Sequence, residues 1–173
     1  MTISAASKSE GAGLAIVNHG KSMSKKSLLD HLLVPVDFSD CSKGALRYAQ
    51  TIAADFGSKV TVLNVTPLND GLLHLGADQL KTLDEELREN QRRKLVGFVK
   101  RASRSLEPAQ CVVRLGHPVE EIIREAEDIG AAAIVISTRG LSGIRHAVIG
   151  STAERVVRHA KCPVWVVPGR KRL

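Results

Sequence analysis

Apolar and polar positions along residues 28–168 follow two patterns that take turns along the chain. Short apolar runs rich in Val, Ile and Leu predict strands, and longer stretches with apolar residues at helical spacing predict helices. The predicted strands are residues 31–36, 59–66, 111–115, 131–137 and 164–167. The predicted helices are residues 41–56, 78–105, 118–130 and 151–160, with Gly97 as a candidate interruption of the second.

This alternation of strands and helices predicts an α/β fold with an open five-stranded parallel sheet and helices on both faces. Parallel neighbours need crossover connections, and helices supply them. Residues 131–137 are continuously apolar, which is typical of a central strand covered on both faces. Ligands bind such sheets beyond the carboxyl ends of the strands, so the loops after Val36, Val65, Leu115 and Ser137 are the places to expect a site.

The length of 173 residues predicts a single domain, and the net charge of +7 is unevenly distributed. Residues 1–27 contribute +3 and residues 170–172 another +3, which leaves +1 for the rest of the chain. We expect a flexible N-terminal extension (1–27), a folded domain (28–168) and a basic C-terminal tail (169–173). Such ends could contact nucleic acid or a membrane surface, but solvated ends are the simpler interpretation. We therefore expect no nucleic-acid partner.

Several classes of protein are disfavoured by what the sequence lacks. No apolar run approaches the roughly 20 residues that span a bilayer, and the N-terminal region has no signal-peptide core, so we expect a cytoplasmic protein without a membrane partner. Cys41, Cys111 and Cys162 are far apart and show no C-x-x-C spacing, so neither a zinc site nor a disulfide framework is expected. The histidines are scattered. We expect no metal ligands and no catalytic residues.

The most informative segment is residues 137–152, which follow the most apolar predicted strand and lead into the last predicted helix. Gly140 and Gly150 allow the backbone to approach a phosphate closely, and the first N–H groups of a helix donate hydrogen bonds to anions. Ser151 is a predicted N-cap, and Glu154 completes a capping-box pattern three residues later. For Ser151 a structural role and ligand contact therefore both remain open.

Charged residues inside this segment have two interpretations. Arg139, Arg145 and His146 could supply positive charge to a triphosphate, or they could be solvated loop residues. Neither G-x4-G-K-[ST] nor G-x-G-x-x-G occurs in the chain, so the P-loop and the usual dinucleotide fingerprint are absent.

The spacing of the glycines resembles the motif of the universal stress protein family, whose nucleotide-binding members carry G-x2-G-x9-G-(S/T). Gly140 and Gly150 are separated by nine residues and followed by Ser151, while Ser137 stands where the motif has its first glycine. The resemblance continues in LLVPVDFSD (32–40), VTVLNV (60–65), GHPVEEI (116–122) and CPVWVVP (162–168). On these segments the chain is identified as a member of that family over residues 28–168.

The resemblance implies a Rossmann-like fold of the adenine nucleotide alpha hydrolase type with strand order 3-2-1-4-5, and it implies a ligand. That ligand is ATP, or AMP or ADP, with or without Mg²⁺. The implied phosphate contacts are Gly140, Gly150, Ser151 and Thr152, with Ser137 and Arg139 beside them. The implied adenine pocket is formed by Pro35, Val36 and Val65 and closed by Ile136.

Two further implications concern single positions and assembly. Asp37 would meet the ribose hydroxyls, although its place after the first strand also suits a cap for the next helix. If the motif requires a backbone angle at position 137 that only glycine adopts at low energetic cost, serine would be strained there. The resemblance also implies a homodimer formed through the final strand, residues 164–167, at a sheet edge.

Three functional hypotheses follow. The first is an ATP-binding regulatory or stress-response protein in which the nucleotide is a conformational ligand with little or slow hydrolysis. The second is an enzyme, either a slow ATPase or an adenylyl-transfer enzyme, on the same phosphate loop. The third is a stress-induced interaction module that binds no nucleotide. The sequence shows no evident base or phosphate-neutralising lysine, which favours the first and leaves enzymatic activity open.

Overall fold

The structure of the chain, a computed structural model, describes residues 29–67, 77–102, 109–138 and 149–169. Strands and helices alternate through all of them, as the apolar pattern predicts. In chain order the elements are β1 (His31–Pro35), α1 (Asp40–Phe56), β2 (Lys59–Thr66), α2 (Ala77–Ala102), β3 (Gln110–Leu115), α3 (Pro118–Asp128), β4 (Ala133–Ser137), α4 (Ser151–His159) and β5 (Val164–Val167).

The strands form one parallel sheet in the order β3-β2-β1-β4-β5, which confirms the predicted fold class and strand order. The central strand, β1, pairs with β2 through His31 and Lys59 and with β4 through Leu32 and Ala133. From β1 the chain adds β2 and then β3 on one side of the sheet. It then crosses back and adds β4 and β5 on the other side. The reversal lies between β1 and β4, where parallel sheets of this kind open a crevice at their carboxyl ends.

The core is divided between the two faces of the sheet because successive strand side chains point to opposite sides. Leu32 and Val34 of β1 pack with Leu46 of α1 and with Leu95 of α2 on one face. The residue between them on β1, Leu33, packs on the other face with a second cluster that includes side chains of α3 and α4. Both faces of the central strands are thus covered, which explains their nearly continuous apolar sequence.

The element boundaries that the structure describes agree with the sequence prediction to within two residues, and two differences are informative. β4 begins at Ala133 rather than at residue 131, because the Ala131 N–H donates to the Ala126 carbonyl oxygen at 2.8 Å and so completes the end of α3. α2 passes Gly97 without a break, and its last described residue is Ala102. Residues 103–105 of the predicted helix lie outside the described residues.

Several classes of site can be checked over the described part of the chain. No helix there is both long enough and apolar enough to cross a membrane. Those residues also contain no group of three or more His, Cys, Asp or Glu side chains placed to hold a metal ion. Cys41, Cys111 and Cys162 are free thiols, and each is partly exposed.

Candidate functional site

A cleft of about 450 Å³ opens at the carboxyl ends of β1, β2 and β4. The first residues of α3 and α4 also line this cleft, and Gln91 of α2 reaches it from the other face. The residues that line it are Pro35, Val36, Asp37, Phe38, Ser42, Leu63, Asn64, Val65, Thr66, Pro67, Gln91, Pro118, Ile122, Ile136, Ser137, Thr138, Gly150, Ser151, Thr152 and Ala153. It lies at the point where the strand order reverses.

The structure brings most of the predicted site residues together in this one cleft. Those residues are Pro35, Val36, Asp37, Val65, Ile136, Ser137, Gly150, Ser151 and Thr152. Arg139 and Gly140, together with Arg145 and His146, lie outside the described residues. The predicted residues are separated by up to 117 positions in sequence, from Pro35 to Thr152, so only the parallel sheet makes them neighbours.

One wall of the cleft is the start of α1, which the chain's own side chains hold in place. The carboxylate oxygen Oδ1 of Asp37 accepts hydrogen bonds from the Ser39 N–H at 3.1 Å and from the Ser39 hydroxyl at 2.6 Å. Ser39 is the N-cap residue, and its Oγ accepts from the Ser42 N–H at 3.1 Å. Asp37 therefore does not cap the helix itself, which corrects that interpretation, but it orients the residue that does.

Phe38, between Asp37 and the cap, has a backbone angle that few side chains adopt. Its φ is +65°, and among the described residues it is the one non-glycine position with a positive φ. The ring packs edge-to-face on Phe98 of α2, with centroids 5.6 Å apart and an interplanar angle of 76°. Because such angles persist only where surrounding packing enforces them, this contact fixes the turn that carries Asp37 into the cleft.

The floor of the cleft contains a buried amide, Asn64, on β2. Its Nδ2 donates to the Val36 carbonyl oxygen at 2.9 Å, while the Val36 N–H donates to the Leu63 carbonyl oxygen at 2.8 Å. Val36 lies beyond the last residue of β1, so these bonds extend the link between β1 and β2 by one residue. The direction in which the chain leaves β1 toward Asp37 is set by this pair of bonds.

The opposite wall is the start of α4, and here the structure corrects the sequence prediction. The N-cap is Gly150, with φ −74° and ψ 155°, and Ser151 is the first helical residue rather than the cap. No side-chain hydrogen bond is made at this cap by the residues that the structure describes. Glu154, the predicted capping-box partner, instead pairs with Arg158 at 2.9 Å. The cap is one residue earlier than predicted because the Gly150 carbonyl oxygen already accepts the Glu154 N–H.

Thr138 joins this wall to the sheet. Its carbonyl oxygen accepts from the Gly150 N–H at 2.6 Å, and its own N–H donates to the Val167 carbonyl oxygen of β5 at 3.0 Å. The two residues that flank the segment 139–149 are therefore in direct contact, and the first turn of α4 is held against the end of β4. This contact fixes where the N–H groups of that turn stand in the cleft.

Ser137 is the residue where the motif has a glycine, and the predicted strain is not found. Ser137 is the last residue of β4, in register with Val167 of β5, and its φ is not positive. The expectation of strain is therefore wrong, because an extended strand angle is accessible to serine as readily as to glycine.

The sequence analysis did not predict several other cleft residues. Only some of them could have been recognised from the sequence. Asn64 is a polar residue inside an otherwise apolar strand, and that pattern could have marked it as a buried hydrogen-bonding group. The single-sequence pattern carries no sign that Phe38 adopts a positive φ or that Gln91 of α2 reaches the cleft. Both depend on packing between elements far apart in the chain.

Part of the segment GHPVEEI has a structural role outside the cleft, although its residues Pro118 and Ile122 line the cleft. Arg114 of β3 donates to Glu125 and Asp128 at 2.5 Å and lies 3.5 Å from Glu121. Burial opposes the charge of Arg114, but its hydrogen bonds to the two carboxylates prevail and raise its pKa. Gly116 has φ +144°, and a Cβ there would come within 3.1 Å of the Glu121 side chain. These charges satisfy one another and hold β3 against α3.

Comparison with known proteins places the whole described domain in one family. The model of the universal stress protein family matches residues 29–168. Universal stress protein MJ0531 from Methanocaldococcus jannaschii is 32% identical over 160 residues, which cover 91% of this chain and 90% of that protein. The structure of MJ0577 from the same organism matches with a TM-score of 0.65 at 24% identity, covering 84% of this chain and 99% of that one.

A second solved structure that resembles this chain contains a bound ligand. A universal stress protein in complex with cAMP matches with a TM-score of 0.58 at 22% identity, over 82% of this chain and 98% of that one. At these identities the structural matches establish a common fold.

Proposed function

This chain belongs to the universal stress protein family, and we propose that its cleft binds ATP, or the related nucleotides ADP and AMP, as a regulatory ligand. One observation carries the proposal. An apolar pocket, a carboxylate and a helix start without a side-chain cap among the described residues meet in a single cleft of about 450 Å³. This combination suits a ligand with a flat apolar end, hydroxyl groups and an anionic end.

The apolar part of the cleft provides the adenine pocket of the proposal. Pro35, Val36, Val65 and Ile136 all line the cleft at the carboxyl ends of β1, β2 and β4. Val36 and Ile136 are both only 5% exposed, so a base that rests on these side chains loses contact with water there. Burial of this kind contributes roughly 25 cal/mol per Å² of apolar surface removed from water.

Asp37 is the proposed ribose contact. Ser39 donates two hydrogen bonds to Oδ1 of Asp37, and an ionised carboxylate offers several acceptor sites in all. They hold the carboxylate in one orientation before any ligand arrives, which lowers the entropic cost of binding. Its place just after β1, at the crevice where the strand order reverses, is where sheets of this type bind their ligands.

The start of α4 is the proposed phosphate site. The N–H groups of the first turn have no intrahelical acceptor, and the helix dipole adds about half a positive charge at that end. Gly150, Ser151 and Thr152 all line the cleft there. Gly140 and Arg139 complete the site in our proposal, although they lie outside the described residues. In this proposal Mg²⁺ binds only together with the triphosphate, because Asp37 is the one carboxylate among the described lining residues.

The nucleotide acts in this proposal as a conformational ligand rather than as a substrate. Among the described lining residues no His or Lys is present to activate water or to neutralise a leaving phosphate. The chain would then serve as a stress-response regulator in the cytoplasm, with slow hydrolysis at most. The cAMP complex belongs to that relative. For this chain, the proposal of an adenine nucleotide rests on the residues that line the cleft.

We also propose a homodimer formed through β5. β5 is an edge strand whose four residues are all partly exposed, so one side of its backbone is open to a strand of a second copy. Sedimentation velocity at micromolar concentrations is expected to give the mass of a dimer. A monomer under those conditions would remove this part of the proposal.

Native mass spectrometry of the freshly purified protein tests nucleotide binding most directly. We expect a bound mass equal to that of an adenine nucleotide, and calorimetric titration of stripped protein should give tighter binding for ATP than for GTP. Protein that binds none of ATP, ADP and AMP would overturn the proposal in favour of a nucleotide-free interaction module.

Incubation with radiolabelled ATP separates the regulatory protein from the enzyme. Retention of about one intact nucleotide per chain over many minutes is expected of a conformational ligand. Sustained release of ADP, or transfer of the adenylyl group to an acceptor, would instead identify a slow ATPase or an adenylyl-transfer enzyme.

A further inference from the structure

Gln91 of α2 lines the cleft but takes no part in the contacts proposed above for ribose and phosphate. It precedes Leu95 by four residues and Phe98 by seven, so the three side chains share one face of the helix. Leu95 and Phe98 are buried in the core on the α1 and α2 side of the sheet. Gln91 therefore continues the buried face of α2 by one turn, and it lies where that face passes from the core to the cleft.

The amide oxygen of Gln91 is a buried acceptor. Its Oε1 is shielded from water, and none of the residues that the structure describes donates a hydrogen bond to it. Such an atom has lost its hydration without gaining a partner, which is unfavourable and uncommon in folded proteins. Because Gln91 lies in the wall of the cleft, a donor on a ligand can satisfy this oxygen.

Gln91 and α4 approach the cleft from opposite faces of the sheet. The core on the α2 side includes Val36, whereas the core on the α4 side includes Ile136. In the proposed function the phosphates lie at the start of α4, so the nucleotide extends away from that helix toward the side of Val36 and α2. The end of the ligand that meets Gln91 is then the base.

We propose that Gln91 reads the base of the nucleotide, and that its Oε1 accepts a hydrogen bond from the exocyclic amine of adenine. This inference rests on the proposed function and names the side chain that selects the base. The last torsion of a glutamine side chain has a broad energy minimum, so the amide can turn toward a donor that enters the cleft. Adenine carries an amine donor at N6, where guanine carries a carbonyl oxygen.

The test replaces Gln91 by methionine, which is unbranched and offers only a weak acceptor in place of the amide. Gln50→Met is the matched control. Gln50 of α1 is also a buried glutamine, its Nε2 has no acceptor among the described residues, and it is not one of the residues that line the cleft. Calorimetric titration compares ATP with purine riboside triphosphate, which is ATP without the exocyclic amine, on both variants and the unmodified protein.

We expect the unmodified protein to bind ATP about tenfold more tightly than purine riboside triphosphate, because only ATP can donate to Oε1. Gln91→Met should bind ATP about tenfold more weakly and should no longer distinguish the two nucleotides. Its melting temperature should be unchanged or higher, since the substitution removes an acceptor that has no donor in the free protein. Gln50→Met should bind both nucleotides as the unmodified protein does.

Four other results would each count against the inference. If Gln91→Met kept the preference for ATP, or if the unmodified protein had no such preference, another group would contact the amine or none would, while nucleotide binding itself would stand. Equal losses of ATP affinity in both variants would indicate a general loosening of the fold. A melting temperature that fell in Gln91→Met alone would assign Gln91 a structural role. Unmodified protein that binds neither nucleotide would remove the proposed function as well.

Discussion

The starts of α1 and α4 both line the cleft, and they are capped in different ways. At α1, the Ser39 hydroxyl oxygen accepts from the Ser42 N–H, and Asp37 holds Ser39 from behind. At α4, the cap is a glycine, and the described residues supply no side-chain hydrogen bond to the first turn. Both starts contain a serine in the sequence, yet only one of these serines acts as a cap.

This difference is the reason that our proposal gives the start of α1 a structural role and places the anionic end of the ligand at α4. A cap typically contributes about 1 kcal/mol to a helix, and α1 has received this stabilisation from its own side chains. No described side chain caps α4, so its first-turn N–H groups are the donors that our proposal assigns to an anion. In that proposal the cleft is asymmetric, with a prearranged carboxylate at α1 and backbone donors at α4.

The largest expected effect comes from giving α4 a side-chain N-cap, as α1 already has. Gly150→Asp places an anionic cap in the cleft, where it would bond to the first-turn N–H groups and repel phosphates. We expect the ATP affinity to fall by about 100-fold or more, because opposed like charges cost several kcal/mol at a binding site. Calorimetric titration measures the affinity, and thermal unfolding should show a melting temperature that is unchanged or higher.

Gly150→Asn is the matched control for that variant. Asparagine caps helices about as well as aspartate but carries no charge, so the stability of the two variants should be similar. The asparagine variant should lose less ATP affinity than the aspartate variant. Equal losses would indicate that steric filling of the cleft, and not charge, is responsible. Full retention of ATP in both would contradict the phosphate site at α4.

The next effect concerns the opposite wall. Asp37→Asn keeps an oxygen that can accept from Ser39 but removes the negative charge offered to the ribose. We expect ATP to bind about tenfold more weakly, which corresponds to about 1.4 kcal/mol. The unmodified protein should also lose affinity when dideoxy-ATP replaces ATP, whereas the variant should lose little more. If the variant distinguished the two nucleotides as well as the unmodified protein does, Asp37 would not be the ribose contact.

A smaller effect is expected from removing the cap of α1. Ser39→Ala deletes the acceptor of the Ser42 N–H and should lower the free energy of unfolding by about 1 kcal/mol, as measured by urea denaturation. Nucleotide affinity should fall only a few-fold, through the loosened Asp37. A loss of ATP binding as large as that of Gly150→Asp would mean that the two helix starts do not differ in role.

The smallest effect is expected at the position where the family motif has a glycine. Because Ser137 is in an extended strand, Ser137→Gly relieves no strain and should alter the ATP affinity less than about threefold. It should lower the free energy of unfolding by roughly 0.5–1 kcal/mol, since glycine loses more conformational freedom in a strand. A marked gain in ATP affinity would show that the serine side chain restricts the bound nucleotide.

Much of the fold was predictable from the sequence because it depends on local patterns. The apolar runs correctly located all five strands, and their alternation with helices led to a parallel sheet. The loops at the carboxyl ends then indicated where a ligand would bind, and Asp37, Ile136 and Gly150 do line one cleft. The contact of the family-matched residues with a nucleotide remains a prediction.

The individual roles at the cleft could not be deduced in the same way. Ser151 and Glu154 form a capping-box pattern, but the cap is Gly150, one residue earlier, where the Gly150 N–H donates to Thr138. Ser137 occupies a glycine position in the motif, yet its pairing with Val167 gives it an ordinary strand angle. In both cases a hydrogen bond between distant segments decides the conformation.

The sequence by itself determined the order of the elements, the family and the edge of the sheet that carries the cleft, because apolar periodicity and short motifs act over a few neighbouring residues. Only the tertiary structure decided where each helix start has its cap, how Phe98 of α2 supports the turn at Phe38, and where Gly169 packs between Thr138 and Cys41. The contacts of Gly169 join residues that are 31 and 128 positions apart. Their geometry is set when the sheet and its helices pack together.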